Sequence, residues 1–366
     1  MHFPLAWNGL KLAYVVLIIL LGKSIGLNKF VLRAISIGTL MVGIVLYGQL
    51  ISNNLGFLFM TKLFSCLIVL FFSYIFVKHF DEFLRGVSIS GGLAMIFFLL
   101  VFMFSRDSFF ALNYTDKFGF RFSGFFPNPN ITAALYVTSY LSSLSSFNNS
   151  RWKGIFVFLN LFGLILTQSR GAVIAALFGT FLLFDYRWFQ QYLRKRIVLV
   201  LVMVCLLTIT GVRYLTIFDL GLSRFNDESS VGLIDNLFSI EGERGFLFLN
   251  AIKTIGANPM GIGLYNHHLV IGNISGTYLI PHNFILTELL NYGVILGILW
   301  LLCIAYMLLR GLFGFLKDKR SSTGVSFVIV LAFLLFSLSH SLTDWFYLYI
   351  FFAVLLGKES YVFSSR

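Results

Sequence analysis

Arginine side chains occur in three short polar motifs that each adjoin a long apolar run. They are Arg121 in a turn rich in Gly, Pro and Asn, Arg170 in a short polar link, and Arg244 at the start of an amphipathic segment. The guanidinium group presents a rigid fork of N–H donors that matches the oxygens of a phosphate. Arg121 and Arg170 also have a simpler explanation, as anchors at the lipid headgroups. Together the three predict a site for a phosphate-bearing substrate.

A fourth motif, Pro281-His282-Asn283, stands directly before an apolar run that begins at Phe284. Proline is favoured in the first turn of a helix, which indicates that a helix begins here. The partial positive charge of a helix N-terminus disfavours imidazolium, so His282 is expected to be neutral. A neutral imidazole is a suitable general base near neutral pH. We therefore predict that His282 is catalytic; the alternative is an ordinary loop histidine.

Local signals indicate how the first two arginine motifs are built. Between residues 118 and 130, Gly, Pro and Asn are typical of tight turns, and Pro129-Asn130 marks the start of a helix. Only a few polar residues, Gln168 and Arg170 among them, separate two apolar runs, which predicts a tight helical hairpin. Arg121 is thus expected in a turn that leads into a helix, and Arg170 at the tip of the hairpin.

The third arginine motif has the pattern of a surface helix. Apolar residues at positions 248, 251, 252 and 255 have helical spacing, and Gly256 and Pro259 are stop signals. Arg244 would lie near the N-terminus of this helix, where a cation opposes the helix dipole. Because that placement does not stabilise the helix, it favours a role for Arg244 in binding a ligand.

The elements that must position these residues are membrane helices. Of the 366 residues 58% are hydrophobic and only 11% are charged, and the mean hydropathy of +0.89 excludes a soluble globular domain. We predict an all-α polytopic membrane protein with about eleven (10–12) spans, a single integral membrane domain over residues 1–366. The predicted spans are 3–22, 31–50, 57–77, 86–104, 131–147, 153–168, 171–184, 197–212, 284–309, 324–340 and 344–357.

The basic residues predict the topology. Most of the 27 Lys and Arg residues lie in alternate connecting segments, such as 187–196 and 310–320, and the positive-inside rule makes that face cytoplasmic. The turn 105–130 and the long polar stretch 213–282 then face outward as an extracytoplasmic loop. The same rule explains the net charge of +12 without nucleic acid as a partner.

The predicted spans are expected to be plain helices without internal breaks. All five prolines lie outside them or at their ends, Glu288 lies near a span end, and Lys62 is expected to snorkel to the interface. A flippase or other transporter needs polar groups along a path through the membrane, so that alternative is disfavoured. No cluster of His, Cys or Asp suggests a metal, and no cofactor is expected.

In this order, the four motifs resemble the O-antigen ligase and O-antigen polymerase family of bacterial integral membrane glycosyltransferases. The resemblance covers about residues 110–310. Its components are the Arg121–Asn130 segment, the Gln168-Ser169-Arg170-Gly171-Ala172 hairpin, Arg244 on a helix ending in Asn258-Pro259, and His282-Asn283 followed by Gly293.

The resemblance implies a GT-C-like helical fold in the bacterial cytoplasmic membrane, with the active site facing outward. It implies an undecaprenyl-diphosphate-linked glycan as donor and transfer to an acceptor sugar hydroxyl, with inversion and without a metal. Arg121, Arg170 and Arg244 would bind the diphosphate, His282 would act as base, and Asn283, Gln168 and Asn130 would support them. The bilayer and a chain-length regulator are the further partners expected.

Two acceptors remain open within the family. A polymerase takes a second lipid-linked repeat, whereas a ligase takes the lipid A core or another terminal acceptor. The ligase form of the His-Asn motif ends in Gly-x-x-Gly, Thr or Tyr, but here Gly293 is followed by Val, Ile and Leu296. That departure and the short chain favour the polymerase.

Overall fold

The computed structural model describes residues 29–52, 62–63, 65–67, 69, 79–105, 114–115, 119–124, 126, 128–146, 151–183, 243–264, 266, 283–338 and 346–356. The predicted spans 3–22 and 197–212 lie outside these ranges, as do His282 and most of the polar stretch 213–282.

The described part of the chain is helical apart from one pair of two-residue strands. In chain order the elements are α1 (Lys29–Ser52), α2 (Phe80–Phe104), β1 (Tyr114–Thr115), β2 (Gly119–Phe120), α3 (Pro129–Ser146), α4 (Arg151–Leu166), α5 (Arg170–Leu183), α6 (Glu243–Ala257), α7 (Phe284–Lys317), α8 (Ser322–Ser337) and α9 (Phe346–Leu356). The strands are antiparallel, with Tyr114 opposite Phe120. Every helix but α6 overlaps a predicted span, and α6 is the predicted helix of the long polar stretch. The helical fold class is confirmed; the count of eleven spans stays a prediction.

Three helices in the described residues are long and apolar enough to cross a membrane: Ile35–Ser52, Phe80–Phe104 and Phe284–Lys317. Five shorter apolar helices accompany them. The surface is that of a membrane protein, because large apolar side chains such as Phe104, Phe181 and Phe313 are mostly exposed. Helix α7 continues past the predicted end at residue 309 to Lys317.

The inner helices are α3, α8 and α9, whose residues are almost all buried. Helix α3 is rich in Ser, Ala and Thr. Inside a membrane the hydrophobic effect does not drive helices together, and small side chains stabilise their packing by letting the backbones approach closely. Helix α3 contacts α2, α4, α5 and α8, while α8 also contacts α7 and α9. The polar residues on α3 explain why a buried helix of this bundle has only modest hydropathy.

Basic side chains meet at one end of this bundle. Arg85 Nε donates to the Ser146 carbonyl oxygen at 3.4 Å, and Lys153 Nζ donates to the Leu144 carbonyl oxygen at 2.6 Å. Arg320, from the turn between α7 and α8, is close enough to Lys153 for the two cations to repel. The starts of α2, α4 and α8 therefore lie at this end with the C-terminus of α3. The starts of α3, α5 and α7 lie at the opposite end.

Candidate active site

The two earlier arginine motifs meet at that opposite end. The Phe122 amide donates to the Leu166 carbonyl oxygen at 3.1 Å, and Arg121 Nε donates to the Thr167 carbonyl oxygen at 3.4 Å. Arg121 Nη2 also donates to Asn130 Oδ1 at 3.1 Å. The half-buried Arg121 thus joins the C-terminus of α4 to the first turn of α3. The sequence predicted these residues separately, and the structure brings Arg121, Asn130 and the hairpin together.

The first turn of α3 is organised as predicted. Helix α3 begins at Pro129, where the missing N–H costs nothing. Asn128 precedes it, and its Oδ1 accepts a hydrogen bond from the Asn130 amide at 2.8 Å, as an N-cap residue does. This cap fixes Asn130 in the helix, so that its side-chain oxygen can accept from Arg121.

The hairpin between α4 and α5 turns within three residues. Thr167, Gln168 and Ser169 are all buried, and Gln168 adopts a φ of 52°, a left-handed conformation that is uncommon outside glycine. Such a residue costs on the order of 1 kcal/mol and persists where its surroundings enforce it. Helix α5 then begins at Arg170, which is half-buried. The buried Gln168 therefore shapes the turn that presents Arg170.

Asn283 is the N-cap of α7. Its Oδ1 accepts hydrogen bonds from the amides of Ile285 at 2.9 Å and Leu286 at 3.2 Å, and its Nδ2 donates to the Leu338 carbonyl oxygen at 3.4 Å. The cap satisfies two amides of the first turn and ties the start of α7 to the end of α8. His282 lies outside the described residues, one position before this cap. Pro281 therefore precedes the helix and is not in its first turn, because the helix begins at Phe284.

Helix α6 confirms the predicted helix, and the structure shows which of its sides packs on α7. Leu247 and Ala251 form an apolar cluster with Leu286 and Leu290 of α7. Of the four predicted apolar positions 248, 251, 252 and 255, those at 248 and 252 are exposed. The side of α6 that packs on α7 therefore includes Leu247 and Ala251 but not Phe248 or Ile252. Arg244 is the second residue of α6, as expected, and its side chain is outside the described part.

The turn after α6 is inserted into a break in α7. Gly293 has φ 78° and ψ 178°, which interrupts the helix. There the Val294 amide donates to the Pro259 carbonyl oxygen at 2.9 Å, and the Ile262 amide donates to the Leu290 carbonyl oxygen at 2.8 Å. The expectation of plain helices was wrong at this point: a glycine can adopt this conformation, and another segment supplies the hydrogen bonds that the break releases.

This insertion also orients α6. The C-terminal turn of α6 lies at the break, while Leu247 joins the cluster around Leu286, nearer the start of α7. The first turn of α6, which carries Arg244, therefore points towards the end of the bundle where Asn283 begins α7. The start of α5 with Arg170 lies at that same end.

Lys62 and Glu288 form a buried ion pair that the sequence did not reveal. Lys62 Nζ donates to Glu288 Oε1 at 2.8 Å and to Oε2 at 2.9 Å, and the side chains are 1% and 0% exposed. Lys62 also lies over the rings of Tyr292 and Trp300, 5.3 and 5.4 Å from their centroids. The expectation that Lys62 snorkels was wrong, because an intramembrane carboxylate on another helix is available to pair with it. A lysine inside an apolar run was the signal available for this pair.

The described residues include no group of three or more His, Cys, Asp or Glu that could hold a metal ion. What they do offer at one end of the bundle is an anchored arginine, a second arginine at a helix start, and a capped helix that follows a histidine. Cations in a partly desolvated setting can stabilise developing negative charge. The two arginines are therefore suited to binding an anionic group at this end of the bundle.

Comparison with known proteins gives one result that bears on this site. Residues 155–301 match a family model described as O-antigen ligase, whereas no curated protein matches the chain. The matched range contains the Arg170 hairpin, Arg244 and the His282-Asn283 motif; Arg121 and Asn130 precede it. The family acts as a membrane glycosyltransferase on lipid-linked glycans in lipopolysaccharide biosynthesis. The match over residues 155–301 supports the predicted resemblance to the O-antigen ligase and O-antigen polymerase family.

Proposed function

We propose that this chain transfers a glycan from undecaprenyl diphosphate to a sugar hydroxyl of an acceptor glycan, at the outer face of the bacterial cytoplasmic membrane. The observation that carries the proposal is the placement of Arg121 and Arg170 at the end of the bundle where Asn283 begins α7. This end is opposite the basic end that the positive-inside rule assigns to the cytoplasm.

The reaction needs two things from the protein. The acceptor hydroxyl oxygen attacks C1 of the donor sugar, the bond from C1 to the diphosphate oxygen breaks, and undecaprenyl diphosphate leaves with the bonding electrons. In-line displacement inverts the configuration at C1. We assign stabilisation of the leaving diphosphate to Arg121, Arg170 and Arg244, because positioned cations act on charge that develops in the transition state. The donor carries its own leaving group, so the scheme requires no metal.

The proton of the acceptor hydroxyl is assigned to His282. Asn283, which directly follows His282, caps α7 and so fixes the backbone beside the histidine. The amide dipoles at the start of α7 favour a neutral imidazole. Gln168 and Asn130 support the arginines: Gln168 shapes the hairpin, and Asn130 accepts from Arg121. In this scheme Asn283 is a positioning residue for His282.

The stretch 213–282, which includes helix α6, is proposed to cover the lipid-linked donor. It forms one outward loop of a single integral domain. Phe248, Leu249 and Ile252 are exposed on α6, on the side away from α7. An exposed apolar face beside a membrane bundle supports contact with lipid chains. Covering the donor excludes water, which would otherwise hydrolyse it.

The polymerase is our first candidate and the ligase the second. Gly293 is required by the break in α7, whereas Leu296 is a partly buried helical residue that packs against the core. The ligase motif's small or hydroxyl-bearing residue is thus replaced by an apolar packing residue, which favours the polymerase. The description of the matching family model, O-antigen ligase, favours the second candidate. A chain-length regulator is a proposed partner of the polymerase only.

The test uses the full chain reconstituted in nanodiscs with an undecaprenyl-diphosphate-linked repeat unit. Release of undecaprenyl diphosphate and the length of the glycan products are measured. A ladder of products from the donor alone identifies the polymerase, and a single transfer that requires lipid A core identifies the ligase. Absence of release with both acceptors present would reject glycan transfer for this chain.

A further inference from the structure

We infer that the buried Lys62–Glu288 ion pair is a positioning device that fixes the rotation and height of the start of α7. The inference rests on the proposed function, because it concerns the placement of the helix start that follows His282. It assigns a role to two residues that lie inside the bundle and that the reaction scheme does not otherwise use.

The first part of α7 is mechanically separate from the rest. Gly293 breaks the helix, so residues 284–292 form a segment of only about two and a half turns. A continuous helix would transmit the orientation of the long part, residues 294–317, to its N-terminus. Across the break, the backbone hydrogen-bonds to the turn at Pro259 instead. The orientation of the short segment therefore depends on its own contacts, which include the Asn283 cap at its start and the bond from the Ile262 amide to the Leu290 carbonyl oxygen near its end.

Apolar contacts alone specify that orientation poorly. The segment packs on α6 through Leu286 and Leu290, which meet Leu247 and Ala251. Apolar packing is non-directional, so it resists sliding and rotation less than a hydrogen-bonded contact does. A slip of one residue rotates an α-helix by about 100° and shifts it by about 1.5 Å. Misplacement of about 1 Å at a catalytic group can cost on the order of 100-fold in rate.

Between the cap at Asn283 and the bond at Leu290, the ion pair supplies a directional contact between side chains on that segment. Both carboxylate oxygens of Glu288 accept from Lys62 Nζ, at 2.8 and 2.9 Å. The ammonium group also lies over Tyr292, one turn further along the same segment, and over Trp300 beyond the break. Lys62 thus contacts both sides of the break from a separate stretch of chain.

A contribution to stability alone does not account for such a pair. Removing two charges from water is costly, and apolar residues of similar size often replace a buried ion pair without loss of stability. Buried pairs are instead well suited to fixing register. Near the end of α7 that the reaction uses, register is what the proposed chemistry needs.

The test compares wild type with the double variant Lys62→Met/Glu288→Leu, in which no charge is left unpaired. Hydrogen exchange of amides 287–292 is measured in nanodiscs, with helix α8 as the internal reference, alongside transfer kinetics. We expect faster exchange confined to residues 287–292, a kcat lowered roughly 10- to 100-fold, and an unchanged KM for the donor. Unchanged exchange in a folded double variant overturns the inference whatever the activity, and faster exchange with a wild-type kcat also overturns it.

A second variant keeps the test decisive if the apolar pair does not fold. The exchanged pair Lys62→Glu/Glu288→Lys retains a directional contact and is expected to fold with slow exchange at residues 287–292. Fast exchange there, with α8 still protected, overturns the inference. If wild type transfers no glycan at all, the proposed function fails, and the exchange data alone still show whether the pair fixes the segment.

Discussion

Gly261 and Gly293 meet backbone to backbone where the turn after α6 enters the break in α7. A Cβ on Gly261 would lie 2.5 Å from the Gly293 amide nitrogen, and a Cβ on Gly293 would lie 2.4 Å from the Met260 carbonyl carbon. Both glycines have positive φ, 90° and 78°. The turn after α6 is therefore locked to α7 at a contact where neither residue can carry a side chain.

Gly293→Ala is expected to disrupt this contact. The new Cβ meets backbone, which cannot move aside like a flexible side chain, and the φ is unfavourable for alanine. We expect a loss of about 2–4 kcal/mol in unfolding free energy, or release of α6 seen as faster hydrogen exchange at residues 247–257. Gly256→Ala in α6 is the control, because a Cβ there meets nothing within 4 Å. Equal stability of the two variants would contradict the lock.

His282→Ala is expected to abolish glycan transfer while donor binding and folding persist, because it removes the proposed proton acceptor and no part of the diphosphate site. Initial rates and donor binding are measured on the same preparation in nanodiscs. His268→Ala, in the same polar stretch, is the control and should transfer normally. Full activity in His282→Ala would remove the base from the scheme.

Arg121→Ala is expected to weaken donor binding at least about tenfold, because it removes both a cation and the link between the α4–α5 hairpin and α3. Arg85→Ala is a matched control: Arg85 makes a similar 3.4 Å bond to a carbonyl oxygen, at the basic end of the bundle. Binding is measured with a labelled donor at two salt concentrations. A similar loss in both variants would mean that Arg121 acts only through folding.

Arg170→Ala tests the second diphosphate contact. It removes a half-buried cation from the first position of α5, so donor affinity should fall and the salt dependence of binding should decrease. Arg170→Lys keeps the charge but loses the planar fork, and should recover only part of the affinity. Unaltered binding in Arg170→Ala would exclude it from the diphosphate site.

Asn283→Ala should lower the transfer rate and reduce the unfolding free energy by about 1 kcal/mol, because the amides of Ile285 and Leu286 lose their acceptor. Asn283→Asp keeps the acceptor and should retain most of the stability. Ser321→Ala removes the N-cap of α8 at the other end of the bundle, where Ser321 accepts from the Gly324 amide at 3.0 Å. Thermal unfolding should report similar losses for both alanine variants, while the rate should fall only in Asn283→Ala; equal rates would argue against positioning.

Asn160→Leu tests a buried polar contact that the sequence did not single out. Asn160 Nδ2 donates to the Ser88 carbonyl oxygen at 3.0 Å and to Ser143 Oγ at 2.9 Å, joining α4 to α2 and α3. Its loss should destabilise the bundle by about 1–2 kcal/mol. Ser90→Ala is the control, because Ser90 bonds only within its own helix in the contacts observed, to the Val87 carbonyl oxygen. The melting temperature in detergent distinguishes the two variants, and equal values would show that Asn160 contributes nothing between helices.

The sequence by itself indicated the membrane class, most helix positions and the resemblance to the O-antigen ligase family. Long apolar runs, turn residues and capping residues act locally, so Pro129, Asn283 and the 167–169 hairpin could be placed from nearest neighbours alone. The sequence also indicated that Arg121 and Arg170 belong to outward turns, because the distribution of basic residues follows from a general rule of membrane insertion.

Only the tertiary structure decided which of these residues meet. The bond from Arg121 to the Thr167 carbonyl oxygen, the insertion at Gly293 and the ion pair of Lys62 with Glu288 each join segments far apart in the chain. A glycine in a helix, or a lysine in an apolar run, has several possible explanations from its neighbours. The group that the fold places beside the residue decides which explanation is correct. The reason is that a backbone amide released by a break, or a buried charge, must be paired with a neighbouring polar group.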